Sequence, residues 1–134
     1  MGTRAREFRF AAAIDRLGEA TAESGAALPL GEEWTPEHLV LAALLRCSLS
    51  SLRHHARRIG SEAAGSGSAR GLVTRREEDG RFAFVEIEVE LEAELAPEPA
   101  DLDALLAKAE RDCFIGASLT AKPAYRWTVN GAPR

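Results

Sequence analysis

Residues 35–59 predict a long helix whose first half is apolar on almost every side. Thr35 suits the N-cap, Pro36 the first helical position, and Glu37 the first turn, where a carboxylate faces the positive end of the helix dipole. The segment that follows, LVLAALL, has no polar face, and Gly60 marks the expected end of the helix. A helix with this pattern has to be surrounded by other elements. The rest of the chain is therefore expected to pack around it.

A β-hairpin follows this helix. Residues 70–77 and 81–95 are β-patterned, and a turn at 78–80 with the pair Asp79-Gly80 separates them. In the second strand, FVEIEVELEAEL, apolar and acidic residues alternate strictly, which predicts one face on the core and one acidic face in solvent. Neighbouring arginines would offset part of the repulsion between the glutamates. An acidic docking surface is the alternative interpretation of this face.

The remaining segments complete an α+β order. Residues 7–30 read as short strands, and residues 61–69, rich in Gly and Ser, read as a flexible connection. Asp101 can N-cap a second helix that ends near Cys113, and YRWTVNG reads as a last strand. This order differs from regular βαβ alternation and predicts an α+β fold in a single domain over residues 1–134.

Composition excludes several classes of protein. The chain has 134 residues and a formal net charge of −4. A protein of this charge is not expected to bind nucleic acid or an anionic membrane by non-specific electrostatic attraction. The longest apolar run, residues 39–45, is too short to span a bilayer. Residues 1–10 are charged and lack the apolar stretch of a secretory signal. A cytoplasmic protein is therefore expected, with no nucleic-acid or membrane partner.

The chain has two cysteines, Cys47 and Cys113. A structural disulfide is not expected in a reducing compartment, and two unrelated buried thiols are one interpretation. A reactive Cys47 would need a nearby cation to hold its thiolate in an apolar helix. Arg46 projects about 100° away from it, so the cation would come from another element. The expected place of Cys113 at a helix C-terminus disfavours a thiolate and suits a resolving thiol better than a first nucleophile.

Neither a metal nor a cofactor is expected. His54 lies on the same helix face as Cys47 but about 10 Å further along the axis, and metal–ligand bonds are only about 2 Å long. His54 and His55 fit a solvated helix end better than a metal site. The chain contains no GxSxG, P-loop or GxGxxG motif.

Two segments resemble motifs of the OsmC/Ohr family. TPEHLVLAALLRC is similar to the family's (N/S/T)-P-E-x-L-hydrophobic-A-A-x-x-x-C helix, and AERDCFIGASL is similar to its second-cysteine segment, A-x-x-C-P-x-S. The order of elements matches the family over essentially the whole chain. The resemblance implies an OsmC-like fold with antiparallel sheets packed around the long central helix. It also implies an intertwined homodimer with its active sites at the interface.

The resemblance further implies a thiol-dependent reduction of organic hydroperoxides. In the family, a thiolate attacks the peroxide, becomes a sulfenic acid and condenses with a second cysteine; these positions fall on Cys47 and Cys113. The family's activating Arg falls on Arg16 in DRLGEA, with Arg9 as the fallback, and the Glu that holds its guanidinium falls on Glu37. A dithiol or a small thiol would supply the reducing equivalents. Taken without the resemblance, Arg16 is a surface charge beside a turn and Glu37 stabilises a helix start.

The chain departs from the family pattern after the second cysteine. Phe114 stands where the family has Pro, and Gly116 stands where it has Ser. The segment between Arg16 and Glu37 is short for an Ohr-type protein, which favours a general OsmC-like branch. Two rival functions follow: a non-catalytic OsmC-like dimer that binds a small apolar molecule at its interface, and an interaction protein that uses the acidic strand face.

Overall fold

The computed structural model describes residues 5–134, so residues 1–4 of the expected domain lie outside the described residues. The chain forms two compact units, one ending at Pro36 and the other spanning Glu37–Arg134. In the first unit, β1 (Ala12–Ile14), β2 (Ala20–Ala22) and β3 (Ala27–Leu28) pair antiparallel in that order. The predicted short strands are confirmed. No residue in the described part of this unit is buried.

The predicted long helix is α1, Pro36–Arg58. It starts at the proline, carries Glu37 in its first turn, and is followed by Gly60 with φ +77°. One face is buried (Leu44, Ser48, Ser51, Leu52, Ala56), whereas Arg46, Ser50 and Arg53 are exposed. In the apolar segment 39–45, the part of the chain that the structure describes buries Leu44 fully and leaves Ala43 exposed, and the other residues are partly buried. Within the described residues, no helix is long and apolar enough to cross a membrane.

The second unit contains a mixed four-stranded sheet. Its order is β4 (Glu62–Arg75), β5 (Phe82–Ala96), β6 (Ala124–Val129) and β7 (Ala132–Pro133). The β4–β5 pair is antiparallel as expected, and β7, which was not predicted, pairs antiparallel with β6; the β5–β6 pair is parallel, which differs from the expected antiparallel sheets. The connection from β5 to β6 runs through α2 (Leu102–Arg111) and α3 (Phe114–Ser118), which is long enough for the crossover that a parallel pair requires.

The prediction of a flexible connection over residues 61–69 is wrong, because β4 begins at Glu62. Gly65 and Gly67 are strand residues paired with Ala93 and Leu91. Cβ atoms built on these glycines would lie within 3.2 Å of the Leu49 and Leu45 side chains of α1. The glycines therefore serve close packing of the helix on the strand rather than flexibility.

The predicted alternation of β5 is confirmed. Its inward residues are buried (Ile87, Val89, Leu91, Ala93, Leu95), and its glutamates are exposed. Arg70 pairs with Glu88 at 2.6 Å, and Arg126 approaches Glu90 at 3.8 Å. The acidic face is thus partly neutralised by arginines of the neighbouring strands.

Candidate active site

Cys47 and Cys113 lie side by side in the second unit. Cys47 projects from the middle of α1 and is partly buried, whereas Cys113, between α2 and α3, is completely buried. The Cys113 side chain is near enough to the Cys47 thiol to raise its pKa. Two cysteines that are distant in sequence therefore form one thiol pair, with Cys47 as the more accessible member.

Burial raises the pKa of the Cys47 thiol above its ordinary value. The neighbouring Cys113 raises this pKa further. The backbone amides of Ile115 and Phe114 act in the opposite direction, because an N–H that points at sulfur favours the thiolate. Within the described residues around it, burial outweighs the amides, so a cation is still needed for a thiolate at neutral pH.

Cys113 does not end a helix as predicted; it starts one. Helix α2 stops at Arg111 with Asp112 as its C-cap, and Cys113 is the N-cap of α3. The Gly116 N–H donates to Cys113 Sγ at 3.4 Å, and Ser48 Oγ donates to the same atom at 3.6 Å. At the start of α3, the sulfur of Cys113 therefore accepts two hydrogen bonds.

Tyr125, on β6, extends this cluster. Its hydroxyl lies 3.0 Å from Ser48 Oγ, and its ring stacks on Trp127 with centroids 6.1 Å apart. Burial raises the pKa of Tyr125 to about 12, and Cys113 and Glu110 add to the effect while Ser48 opposes it. The phenol therefore keeps its proton at neutral pH, and either hydroxyl can be the donor in its contact with Ser48.

Ser48 and Tyr125 are not among the predicted site residues. A signal for Ser48 was present, because a hydroxyl directly after Cys47 in an otherwise apolar helix has to find a partner when buried. Tyr125, Trp127 and Val129 are every second residue of the last strand and therefore lie on the same face of it. Trp127 and Val129 are buried, so this is the inward face. That Ser48 and Tyr125 meet depends on the packing of α1 against β6, which local patterns do not specify.

A side-chain hydrogen bond joins the end of α2 to α1 next to Cys113. His55 of α1 lies 2.8 Å from Asp112, and Arg111 also contacts this carboxylate at 2.9 Å. Arg111 first, and His55 to a smaller extent, lower the pKa of Asp112 to about 2. His55 therefore joins two elements of the site and is not a simple solvated helix end.

The other predicted residues are exposed. Arg16 lies in the turn between β1 and β2 in the first unit, and Glu37 lies in the first turn of α1. Arg9 forms an ion pair with Glu7 at 2.9 Å. Because Arg16 and Cys47 belong to different units, the assignment of Arg16 as activating cation stays a prediction, and so does the role of Glu37.

A thiol pair held between a long helix and the start of a short one, in an α+β fold, defines a candidate thiol redox site. Residues 29–128 match the family model described as OsmC-like protein. The match spans well over half of the chain, and the chain therefore belongs to the OsmC-like family. No protein with a curated description matches the chain.

Solved structures share this fold. An OsmC-like protein of unknown function from Vibrio cholerae is 18% identical with a TM-score of 0.66, over 83% of each chain. The organic hydroperoxide resistance protein OhrB of Bacillus subtilis is 18% identical with a TM-score of 0.54, over 91% of this chain and 96% of its own. An organic hydroperoxide resistance protein OsmC from Legionella pneumophila is 22% identical with a TM-score of 0.56, over 95% and 98%. These likenesses confirm the predicted α+β, OsmC-like fold.

Proposed function

We propose that this protein is a thiol-dependent peroxidase that reduces organic hydroperoxides. The observation that supports it is the contact between the partly buried Cys47 and the buried Cys113. Membership of the OsmC-like family and the names of the Bacillus and Legionella structures, both organic hydroperoxide resistance proteins, support the same substrate class. We further propose one domain over residues 1–134, a cytoplasmic location and a homodimer.

The reaction has three steps. The Cys47 thiolate attacks an oxygen of the hydroperoxide; an S–O bond forms, the O–O bond breaks, and the alkoxide takes a proton and leaves as alcohol. The Cys113 sulfur then attacks the Cys47 sulfenic acid; an S–S bond forms, the S–O bond breaks, and water leaves. A dithiol or a small thiol reduces the disulfide by exchange and regenerates both thiols.

Cys47 needs a cation for the first step, because burial raises its pKa. We propose that Arg16 supplies the cation and that Glu37 holds its guanidinium. The alternative, Arg9, already forms an ion pair with Glu7, which favours Arg16. The guanidinium would also polarise the peroxide oxygens as the O–O bond breaks.

A second function is favoured by the same raised pKa of Cys47. If no cation reaches this sulfur, the thiol stays protonated, and the protein is a non-catalytic OsmC-like dimer that binds a small apolar molecule. Mass spectrometry of the protein after treatment with peroxide separates the two functions. A peroxidase forms a Cys47 sulfenate or a Cys47–Cys113 disulfide, whereas the binding protein keeps both thiols.

The peroxidase is tested by the consumption of cumene hydroperoxide with dihydrolipoamide or dithiothreitol as reductant. We expect Cys47→Ser to abolish turnover, and Arg16→Ala to slow it by about tenfold or more through loss of a charge-assisted contact. Arg9→Ala is the matched control and should retain the wild-type rate. Equal rates for the wild type and Cys47→Ser would contradict the proposed function. If Arg9→Ala is slower than Arg16→Ala, Arg9 and not Arg16 is the activating cation.

A further inference from the structure

A chain of hydroxyls leads from Tyr125 to Cys113. Ser48 has one hydroxyl proton, and it donates this proton to Cys113 Sγ at 3.6 Å. Its contact with Tyr125 at 3.0 Å therefore uses the tyrosine proton, with the Ser48 oxygen as acceptor. Both hydroxyl protons of the chain point toward the sulfur, and the Gly116 N–H reaches the same atom from α3 at 3.4 Å.

We propose that Ser48 and Tyr125 are positioning residues for Cys113. Their hydroxyls, in series, orient its sulfur and, together with the Gly116 amide, stabilise the negative charge that this sulfur carries when it attacks an oxidised Cys47. The proposal deepens the proposed function, since it concerns the resolving step of the same site. It predicts that the hydroxyl chain controls the rate of disulfide closure and not the first reaction of Cys47.

Packing alone does not explain why a serine occupies position 48. Ser48 is completely buried, and a buried hydroxyl is unfavourable unless its hydrogen bonds are made. An alanine would fill nearly the same volume and would favour the helix. Ser48 and Tyr125 come from different elements, α1 and β6; Ser48 contacts the sulfur of Cys113, and Tyr125 contacts Ser48.

A serine in place of Gly116 would supply a hydroxyl to the Cys113 sulfur from α3 when the Ser48 hydroxyl is removed. A Cβ atom built on Gly116 would lie 3.6 Å from Cys113 Sγ and 3.5 Å from the Tyr125 hydroxyl, both ordinary contact distances. The Cβ atom of a serine at this position fits without displacing its neighbours. The serine hydroxyl would reach the same sulfur and the same phenol as Ser48.

Closure is measured without peroxide, by reaction of the reduced protein with the aromatic disulfide DTNB. The accessible Cys47 attacks the reagent, forms a mixed disulfide and releases a first thionitrobenzoate. Cys113 then attacks the Cys47 sulfur of this mixed disulfide; a new S–S bond forms, the old one breaks, and a second thionitrobenzoate leaves. Cys113→Ser should show the first release only.

We expect Ser48→Ala to leave the first release unchanged and to slow the second by about tenfold, the effect of one lost hydrogen bond to a charged group. Tyr125→Phe, which keeps the ring stacked on Trp127, should slow the second release as well. Ser48→Ala combined with Gly116→Ser should recover most of the rate. The matched control is Ser50→Ala, the same substitution at an exposed position of α1, with both releases at the wild-type rate.

Three results would overturn the inference. The first is a second release in Ser48→Ala as fast as in Ser50→Ala. The second is a slow release that Gly116→Ser does not restore, since a structural defect would not respond to a hydroxyl from α3. The third is a wild type without any second release. A wild type that closes with DTNB but does not consume cumene hydroperoxide contradicts the peroxidase alone.

Discussion

At the scale of single residues, the position after Cys113 decides how many donors reach the sulfur of Cys47. Phe114 is the first residue of α3, and its amide lowers the pKa of the Cys47 thiol. A proline at this position, as in the family motif, has no N–H and could not make this contact. The departure from the motif thus adds a donor to the site of first attack.

The substitution Phe114→Pro isolates this amide. Proline suits the first position of a helix, and Cys113 has the extended conformation that the residue before a proline prefers, with φ −73° and ψ 110°. We expect the variant to raise the pH of half-maximal alkylation of Cys47 by iodoacetamide by up to about one unit, because a donor to the thiolate is lost. Phe114→Ala keeps the amide and should leave the midpoint unchanged. The same shift in both variants would assign the effect to the ring.

The resemblance of two motifs led to Cys47 and Cys113 as one pair, but their partners were not predicted. Cys113 lies near enough to Cys47 to raise the pKa of its thiol, and the catalytic roles of the two cysteines stay a prediction. Ser48 and Tyr125 could not be assigned, since a serine in a helix and a tyrosine in a strand have many uses. The end of α2 was placed too late by about two residues, which put Cys113 at a helix C-terminus instead of at the start of α3.

At the scale of elements, the local sequence pattern did not predict the first half of strand β4. Its glycines were read as a linker because glycine is common in flexible segments, whereas α1 requires them for close approach. Strand β5 and helices α1 and α2 were predicted correctly, because their alternation and capping signals are strong and local. The parallel pairing of β5 with β6 depends on a crossover, and no local pattern specifies it.

Gly67→Ala tests the close packing of β4 against its neighbours, β5 and α1. A Cβ atom at this position would lie 2.6 Å from the Glu90 carbonyl oxygen and 2.5 Å from the Leu91 side chain, so backbone has to move. We expect a loss of about 1–3 kcal/mol in the free energy of unfolding, measured by urea denaturation. The matched control is Gly31→Ala, whose Cβ would meet no atom within 4 Å and which should stay within about 0.5 kcal/mol of wild type. Equal stability of the two variants would contradict close packing at Gly67.

At the scale of the whole molecule, the first unit lacks a core of its own. Its strands are two or three residues long, and none of its described residues is buried. Three short strands without a buried face are not stable in isolation. Large apolar side chains are exposed there, among them Phe10 at 80% and Leu17 at 95%. We expect such an exposed apolar surface to be covered by another protein surface.

We expect that surface to be covered by a second copy of the chain, as the proposed homodimer requires. Analytical ultracentrifugation of the wild type should show a dimer, and Phe10→Asp should shift the equilibrium toward monomer because a charge replaces an apolar contact. Ser24→Asp is the matched control. It adds the same charge at an exposed turn and keeps an acceptor for the Ala26 N–H that Ser24 Oγ now binds at 3.3 Å, so it should leave the dimer intact. A wild type that remains monomeric at all concentrations would contradict the dimer. If both variants dissociate equally, the added charge and not the position of Phe10 causes the dissociation.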